Sequence, residues 1–94
     1  MKALLIIVVA TLAGTDGEAV LTAPPELIAR GFGEQAEPLL AELRSEAGRV
    51  LAQLIGDDIT EIKLLQEHLH DALGGVVYDR TGRRPMILPV LVEV

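Results

Sequence analysis

Apolar residues change their spacing along the chain, and these changes divide it into successive elements. Residues 6–11 are a largely β-branched block, which is typical of a strand. The Gly- and Asp-containing segment 14–17 favours a turn into a second strand-like stretch, residues 18–22. Pro24-Pro25 ends this predicted hairpin because proline cannot donate a hydrogen bond to a strand ladder. We expect residues 26–33 to form a short connection.

From residue 34 onwards, apolar residues recur at the i, i+3, i+4, i+7 spacing of one helical face. The pattern predicts an amphipathic helix of about five turns that stops near Gly56. A second helix is predicted to open at residues 57–61, with Asp58 as its cap and Glu61 completing a capping box. The predicted buried stripe of the first helix is Ala36, Leu39, Leu40, Leu43, Ala47, Val50, Leu51 and Leu54.

Gly74 and Gly75 lie within the predicted second helix, and glycine has a low helix propensity, so two interpretations are open. The glycines can end the helix, with residues 76–78 starting a strand, or the helix can run on to about Arg80. We favour continuation because the apolar face is kept on both sides of the glycines, and Gly82 then ends the helix. The predicted buried stripe is Ile62, Leu65, Leu69, Ala72, Leu73 and Val76.

The last twelve residues read RRPMILPVLVEV and are apolar at nearly every position of a predicted strand that Pro85 starts. A strand with one wet face alternates apolar and polar residues, so both faces of this strand need cover. Either it lies in the middle of a covered sheet, or another chain or domain supplies part of the cover. The candidate interface residues, between subunits or between domains, are Ile87, Leu88, Val90, Leu91 and Val92.

The element order strand, strand, helix, helix, strand predicts an α+β fold. Two helices with one apolar stripe each must bury these stripes against another layer, and the three predicted strands supply a sheet for this. The prediction is therefore a two-layer sandwich of a three-stranded β-sheet and two α-helices. A length of 94 residues fits one domain, residues 1–94. The opening MKALLIIVVATLAG also has the outline of a signal peptide. We favour a strand because a single lysine is a weak match to the positively charged region that begins a signal peptide.

The amino-acid composition argues against some kinds of binding partner, such as nucleic acid, and favours others. Half of the residues are hydrophobic, yet there is one Phe, one Tyr and no Trp, so the core is aliphatic and offers no aromatic platform for stacked bases. The net charge of −6 repels phosphate backbones at long range. The absence of cysteine excludes disulfides and thiolate ligands and is compatible with the cytoplasm. The high apolar fraction indicates self-association or docking onto another domain.

No active site is predicted. His68 and His70 are two residues apart on a helix and point in different directions, so they cannot share one metal ion. The best candidates for contact with RNA phosphate or with another domain are Arg80, Arg83, Arg84 and Arg30. The alternative for these arginines is structural, because cations at a helix end neutralise the dipole and pair with acidic side chains.

Three segments carry a resemblance to a known family: YDRTGRRPMILPVLVEV at residues 78–94, PELIARGF at residues 25–32 and the opening apolar strand. They resemble the C-terminal domain of ribonuclease J, a family of prokaryotic nucleases with the metallo-β-lactamase fold. The resemblance covers essentially the whole chain, and RRPMILPV is its most specific part. Ala29 stands where the family usually has serine.

The resemblance implies a fragment of a metal-dependent ribonuclease, a hydrolase that matures and degrades RNA as a 5′-to-3′ exonuclease and an endonuclease. Zinc, manganese or magnesium is then expected in the catalytic metallo-β-lactamase domain, and RNA binding is helped by a β-CASP domain. The His-x-His-x-Asp-His metal motif of that enzyme is absent from these residues. This chain is then a non-catalytic, cytoplasmic domain without a cofactor of its own, which supports dimerisation and activity of the parent enzyme.

The expected partners are a second copy of the chain, the catalytic domains of the parent enzyme, and RNA as the parent's substrate. No membrane and no small-molecule ligand are expected. Two alternatives stay open. The chain can be a free-standing small protein whose sheet pairs with itself in a homodimer, or a module that contacts RNA through Arg80, Arg83 and Arg84.

Overall fold

The computed structural model describes residues 4–15, 18–21, 24–59 and 61–94. Within these residues, strands and helices follow the order expected of a sheet backed by helices. The elements are β1 (Leu5–Thr15), β2 (Glu18–Leu21), β3 (Glu26–Arg30), a 3₁₀-helix (Gly33–Gln35), α1 (Ala36–Gly56), α2 (Ile62–Thr81) and β4 (Met86–Glu93).

β1 is the central strand of the sheet. β4 runs parallel to β1 along one side, from the Leu5–Met86 pair to the Leu12–Glu93 pair. β2 and β3 are antiparallel to β1 and lie one after the other along its opposite side, so the sheet is three strands wide. Parallel strands cannot be joined by a tight turn and need a crossover connection. Both helices belong to the crossover between β1 and β4.

This arrangement confirms the predicted α+β two-layer sandwich, in which a mixed sheet three strands wide packs against two helices; the sheet contains four strands because β2 and β3 share one side of β1. Residues 5–15 form a strand, as favoured, and pair with β2 as the hairpin pattern predicts. The predicted turn residues Asp16 and Gly17 lie outside the described residues, as does Thr22.

The prediction of a connection at residues 26–33 was wrong, because residues 26–30 form β3. β3 pairs with the first half of β1, from Leu5–Arg30 to Val9–Glu26. A proline just before a strand is tolerated because its missing N–H does not interrupt the ladder that follows. Pro24-Pro25 therefore precedes β3 and does not end the sheet.

The helices follow their predicted stripes, except that Val77 and not Val76 is buried and that Ala36, Leu40, Ile62 and Ala72 are half-buried at the margins of the core. α1 buries Leu39, Leu43, Ala47, Val50, Leu51 and Leu54, and α2 buries Leu65, Leu69, Leu73 and Val77. α2 runs through Gly74 and Gly75 to Thr81, which confirms the continuous helix. Gly82 ends it in the left-handed conformation, with φ of 70°, a geometry that glycine adopts without steric cost.

The predicted capping box at the start of α2 is wrong. Glu61 is the residue before the helix, and no side chain caps the first turn. Asp58 instead belongs to the turn that follows α1, where it has a φ of 61° and its N–H donates to the Ile55 carbonyl. Asp is one of the few non-glycine residues that tolerate this left-handed backbone. The turn between the helices therefore uses Asp58 before α2 begins.

The core lies between the helices and one face of the sheet, and it is aliphatic apart from Phe32. The sheet contributes the alternate residues Ile6, Val8, Ala10, Leu12, Leu27 and Ile87, all buried. Leu91 and Ala29 are half-buried and pack against the same cluster. Because the side chains of a strand alternate between its faces, the residues between these positions face away from the helices.

Candidate interaction surface

The second face of the sheet has no cover from the described residues and is largely apolar. It is called the open face here. β1 contributes four half-buried residues, whereas the residues from β3 and β4 are exposed. The open face consists of Leu5, Ile7, Val9 and Thr11 of β1, Glu26, Ile28 and Arg30 of β3, and Met86, Leu88, Val90 and Val92 of β4.

The predicted interface residues divide between the two faces of β4. Leu88, Val90 and Val92 lie on the open face, and Leu88 is 44% exposed. Ile87 is only 4% exposed because it packs under the helices, and Leu91 is half-buried on that same side. The role of this strand in an interface stays a prediction, and the structure assigns Ile87 and Leu91 to the chain's own core.

Of the two interpretations of the last strand, a position in the middle of a covered sheet was wrong, because β4 is an edge strand and β1 is central. The apolar run on β4 instead combines a face packed on the helices with a face that is open. The reason for the error is that β1 and β4 are both apolar on both faces, so the sequence pattern does not show which of them is central in the sheet.

The free edge of β4 is blocked near its middle. The N–H groups of Met86 and Val94 donate to carbonyls of β1, so the odd-numbered residues of β4 turn their backbone groups toward the free edge. Pro89 is one of these residues and has no N–H to offer. Its carbonyl accepts a hydrogen bond from Gln66 Nε2 at 3.2 Å. Edge-to-edge addition of another strand is therefore disfavoured here, as in other protected sheet edges.

Among the candidate arginines, Arg80 and Arg84 already have partners. Arg80 Nη2 donates to Glu42 Oε1 at 2.8 Å, and Arg80 Nε lies 3.0 Å from both oxygens of that carboxylate. The hydrogen bond to Glu42 raises the pKa of Arg80 above its usual value. Arg84 stacks over Tyr78, with its guanidinium carbon 5.3 Å from the ring centroid. The structural interpretation therefore accounts for these two side chains.

Arg83 and Arg30 make no ion pair with the described residues. Arg83 and Arg80 line a cavity of about 310 Å³ together with Leu4, Gly31, Phe32 and Thr81. Arg30 precedes this cavity in the chain but lies on the open face. The structure thus brings two of the four candidate arginines to one cavity and places the other two on separate surfaces.

The two histidines are exposed, and His70 Nδ1 lies 3.3 Å from an oxygen of the adjacent Asp71. Across the described ranges, no three His, Cys, Asp or Glu side chains are grouped closely enough to hold a metal ion. Within those same ranges, no helix is long and apolar enough to span a membrane.

Sequence reasoning missed the contribution of β1 and β3 to the open face. Ile7 and Ile28 are neighbours across the sheet, and Ile7 also pairs with Leu88. The apolar residues 27–29 between Glu26 and Arg30 were a weak strand signal, and the prolines before them obscured that signal. Only the strand register shows that these residues form one surface.

The fold and the open face together define a class of protein: a small α+β domain with one sheet face on its own helices and one apolar sheet face uncovered. The family model described as the Ribonuclease J C-terminal domain matches residues 5–94. The chain therefore belongs to this family, which confirms the resemblance seen in its sequence.

Individual relatives agree with the family match. Ribonuclease J2 of Bacillus subtilis (strain 168) is 30% identical over 76 residues, which cover 79% of this chain and 14% of the relative. Ribonuclease J 2 of Staphylococcus epidermidis (strain ATCC 12228 / FDA PCI 1200) and of Staphylococcus aureus (strain NCTC 8325 / PS 47) are each 28% identical over the same shares. The chain thus matches only a small part of the length of these relatives.

Proposed function

We propose that this chain is the non-catalytic C-terminal domain of a ribonuclease J-like enzyme and that it supports the dimerisation and activity of that enzyme. The parent enzyme acts in the cytoplasm on RNA, as a 5′-to-3′ exonuclease and an endonuclease, and holds its zinc, manganese or magnesium in a separate catalytic domain. Membership of the family supports this proposal, as does the match to 14% of relatives named as ribonucleases.

The open face is the observation that carries the dimerisation part of the proposal. Exposed leucine and valine side chains on β4 continue into Ile7 and Ile28 across the sheet, so the apolar surface is contiguous. Contiguous apolar patches of this kind mark association sites in soluble proteins. The blocked edge at Pro89 favours packing through the face over pairing through the edge.

Light scattering or sedimentation equilibrium across a concentration series tests self-association. We expect the wild-type chain to dimerise and Leu88→Asp to stay monomeric, because the substitution buries an unpaired charge in the contact. Leu64→Asp is the matched control: Leu64 is 39% exposed on α2, close to the 44% of Leu88, but lies away from the open face. A wild-type chain that is monomeric at every concentration would contradict the proposal.

The non-catalytic part of the proposal is tested separately. We expect the purified chain to leave 5′-monophosphorylated RNA intact when zinc, manganese or magnesium is added. Metal-dependent cleavage that co-purifies with the chain, and that persists after a second purification by a different method, would contradict this expectation.

Contact with RNA near the end of α2 is a second candidate function. The cavity shared by Arg80 and Arg83 favours it, whereas the Glu42 partner of Arg80 and the net charge of −6 weaken it. If RNA binds there, Arg83→Gln should lower the affinity and the salt dependence, and Arg44→Gln on exposed α1 should not. Equal binding by both variants would exclude the cavity as the RNA site.

A further inference from the structure

The open face carries two opposite charges at fixed positions in the strand register. Glu26 and Arg30 lie on it at the two ends of β3, four residues and therefore about 13 Å apart along the strand. They are too far apart to pair with each other, and neither forms an ion pair with the described residues. The cross-strand rows of the open face are Arg30–Leu5–Met86, Ile28–Ile7–Leu88 and Glu26–Val9–Val90.

The positions of these charges discriminate between the ways in which two copies can pack. In a two-fold dimer built face to face, the symmetry axis lies in the plane between the two sheets. An axis along β1 places β3 of one copy over β4 of the other. Arg30 then faces Met86, and Glu26 faces Val90, so four charges at the rim lie against apolar side chains without a partner, which is less favourable than an arrangement that pairs them.

An axis across the strands gives a different result. When it follows the row Ile28–Ile7–Leu88, each of these residues lies over its own equivalent in the second copy. The rows on either side are exchanged, so Glu26 of each copy meets Arg30 of the other, twice in the dimer. The aligned packing of twisted sheets, at roughly 30°, preserves this exchange of rows.

We propose that two copies of this chain pack face to face about a two-fold axis along the row Ile28–Ile7–Leu88, with reciprocal Glu26–Arg30 pairs. This inference rests on the self-association in the proposed function and specifies its geometry. The aliphatic row forms the centre of the contact, and the two charge pairs lie at its rim and fix the orientation. Charge complementarity at a rim sets the register and excludes wrong arrangements more than it adds affinity.

The size of the open face indicates a weak dimer. Three strands and four rows of outward side chains cover roughly 300–400 Å² of flat sheet, from the spacings of strands and residues. Stable interfaces bury about 800 Å² on each partner. We therefore expect a dissociation constant in the micromolar range or above for this chain alone, where changes caused by charge reversal are readily measured.

Charge reversal tests the proposed geometry. In a dimer of Glu26→Arg, or of Arg30→Glu, like charges meet twice, so each variant should associate at least about tenfold more weakly than the wild type. In a mixture of the two variants, both contacts pair opposite charges. The mixture should therefore form a heterodimer of near wild-type affinity, and the double variant E26R/R30E should dimerise like the wild type.

The controls separate this inference from the proposed function. Both residues are exposed, so the variants should fold, and circular dichroism checks this. Glu26→Gln and Arg30→Gln introduce no repulsion, so each should associate only slightly more weakly than the wild type. Mixing these two restores one exposed Glu26–Arg30 pair and should therefore gain far less than mixing the charge-reversed variants. If the wild type dimerises and Leu88→Asp does not, but the mixed charge variants associate no better than each alone, the geometry is wrong while the dimer stands. A wild type that never dimerises overturns both.

Discussion

The two faces of the sheet are made of similar residues but have different environments. Ile6 and Val8 on the helix side are fully buried, whereas the alternate residues Ile7 and Val9 are only half-buried on the open face. The difference comes from the crossover connection, which places both helices on one side. An apolar strand pattern thus indicates that both faces tolerate burial, but it does not say what covers each one.

This difference has an energetic consequence. A side chain on the covered face stabilises the folded chain by itself, because its burial happens when the chain folds. An equally apolar side chain on the open face is buried further only when a second surface arrives. Substitutions on the covered face should therefore change the melting temperature, and substitutions on the open face should change the molar mass.

The largest contrast is expected between two adjacent residues of β4. Ile87→Asp places an unpaired charge in the core, and we expect a loss of at least about 3 kcal/mol in the free energy of unfolding. Leu91→Asp, at a half-buried position, should lose less. Leu88→Asp should keep the wild-type fold and lose only association. Denaturant titration of dilute samples measures the free energy of unfolding. Equal losses for Ile87→Asp and Leu88→Asp would contradict the expected difference between the two faces.

A cavity on the covered face should have the next largest effect. Leu73 is fully buried on α2, so Leu73→Ala should lower the free energy of unfolding by about 2–5 kcal/mol. Leu88→Ala removes the same atoms from the open face and should change the unfolding of the monomer by less than about 1 kcal/mol. Thermal denaturation at low concentration compares the two, and a similar cost at both sites would mean that the open face is already packed.

Gly75 offers a smaller change, in the opposite direction. A Cβ added at this exposed position meets nothing, so Gly75→Ala should stabilise the chain by about 0.5–1 kcal/mol through helix propensity. The control Gly82→Ala should destabilise it, because φ is 70° there. The molar mass should be unchanged in both variants. A destabilised Gly75→Ala variant would show that another surface already contacts this part of α2.

The smallest effect is expected for the ion pair between α1 and α2. Glu42→Gln removes the hydrogen-bonded charge that raises the pKa of Arg80, but both side chains are well exposed and solvent screens them. The melting temperature should fall slightly at low salt and less at high salt. Glu67→Gln, exposed on α2, is the control. A large loss of stability would contradict the minor role assigned to this pair.

Much of the fold was predictable because it depends on local patterns. The helical stripes and the left-handed Gly82 depend on residues near one another in the chain, and each was predicted within a few positions. The central position of β1 and the strand at residues 26–30 depend on pairing between distant segments. Strand pairing is selected by tertiary packing, so two strands that are apolar on both faces cannot be ordered from sequence alone.

The open face was predictable only in part for the same reason. The apolar run in β4 predicts a set of interface residues that includes Leu88, Val90 and Val92 of the open face. The register was needed to remove Ile87 and Leu91 from that surface and to add Ile7 and Ile28. The positions of Glu26 and Arg30 on the open face are known only when residues 26–30 are seen to form the strand β3.

Intermolecular methyl contacts test most directly whether a second copy covers the open face. The measurement uses a mixed NMR sample, in which one copy carries labelled Ile, Leu and Val methyl groups and the other is unlabelled, at a concentration where the dimer forms. Intermolecular contacts are predicted at the methyl groups of Ile7, Ile28 and Leu88 and not at Leu64. Contacts confined to Leu64 or to the helices, with the open face untouched, would contradict the assignment of this surface.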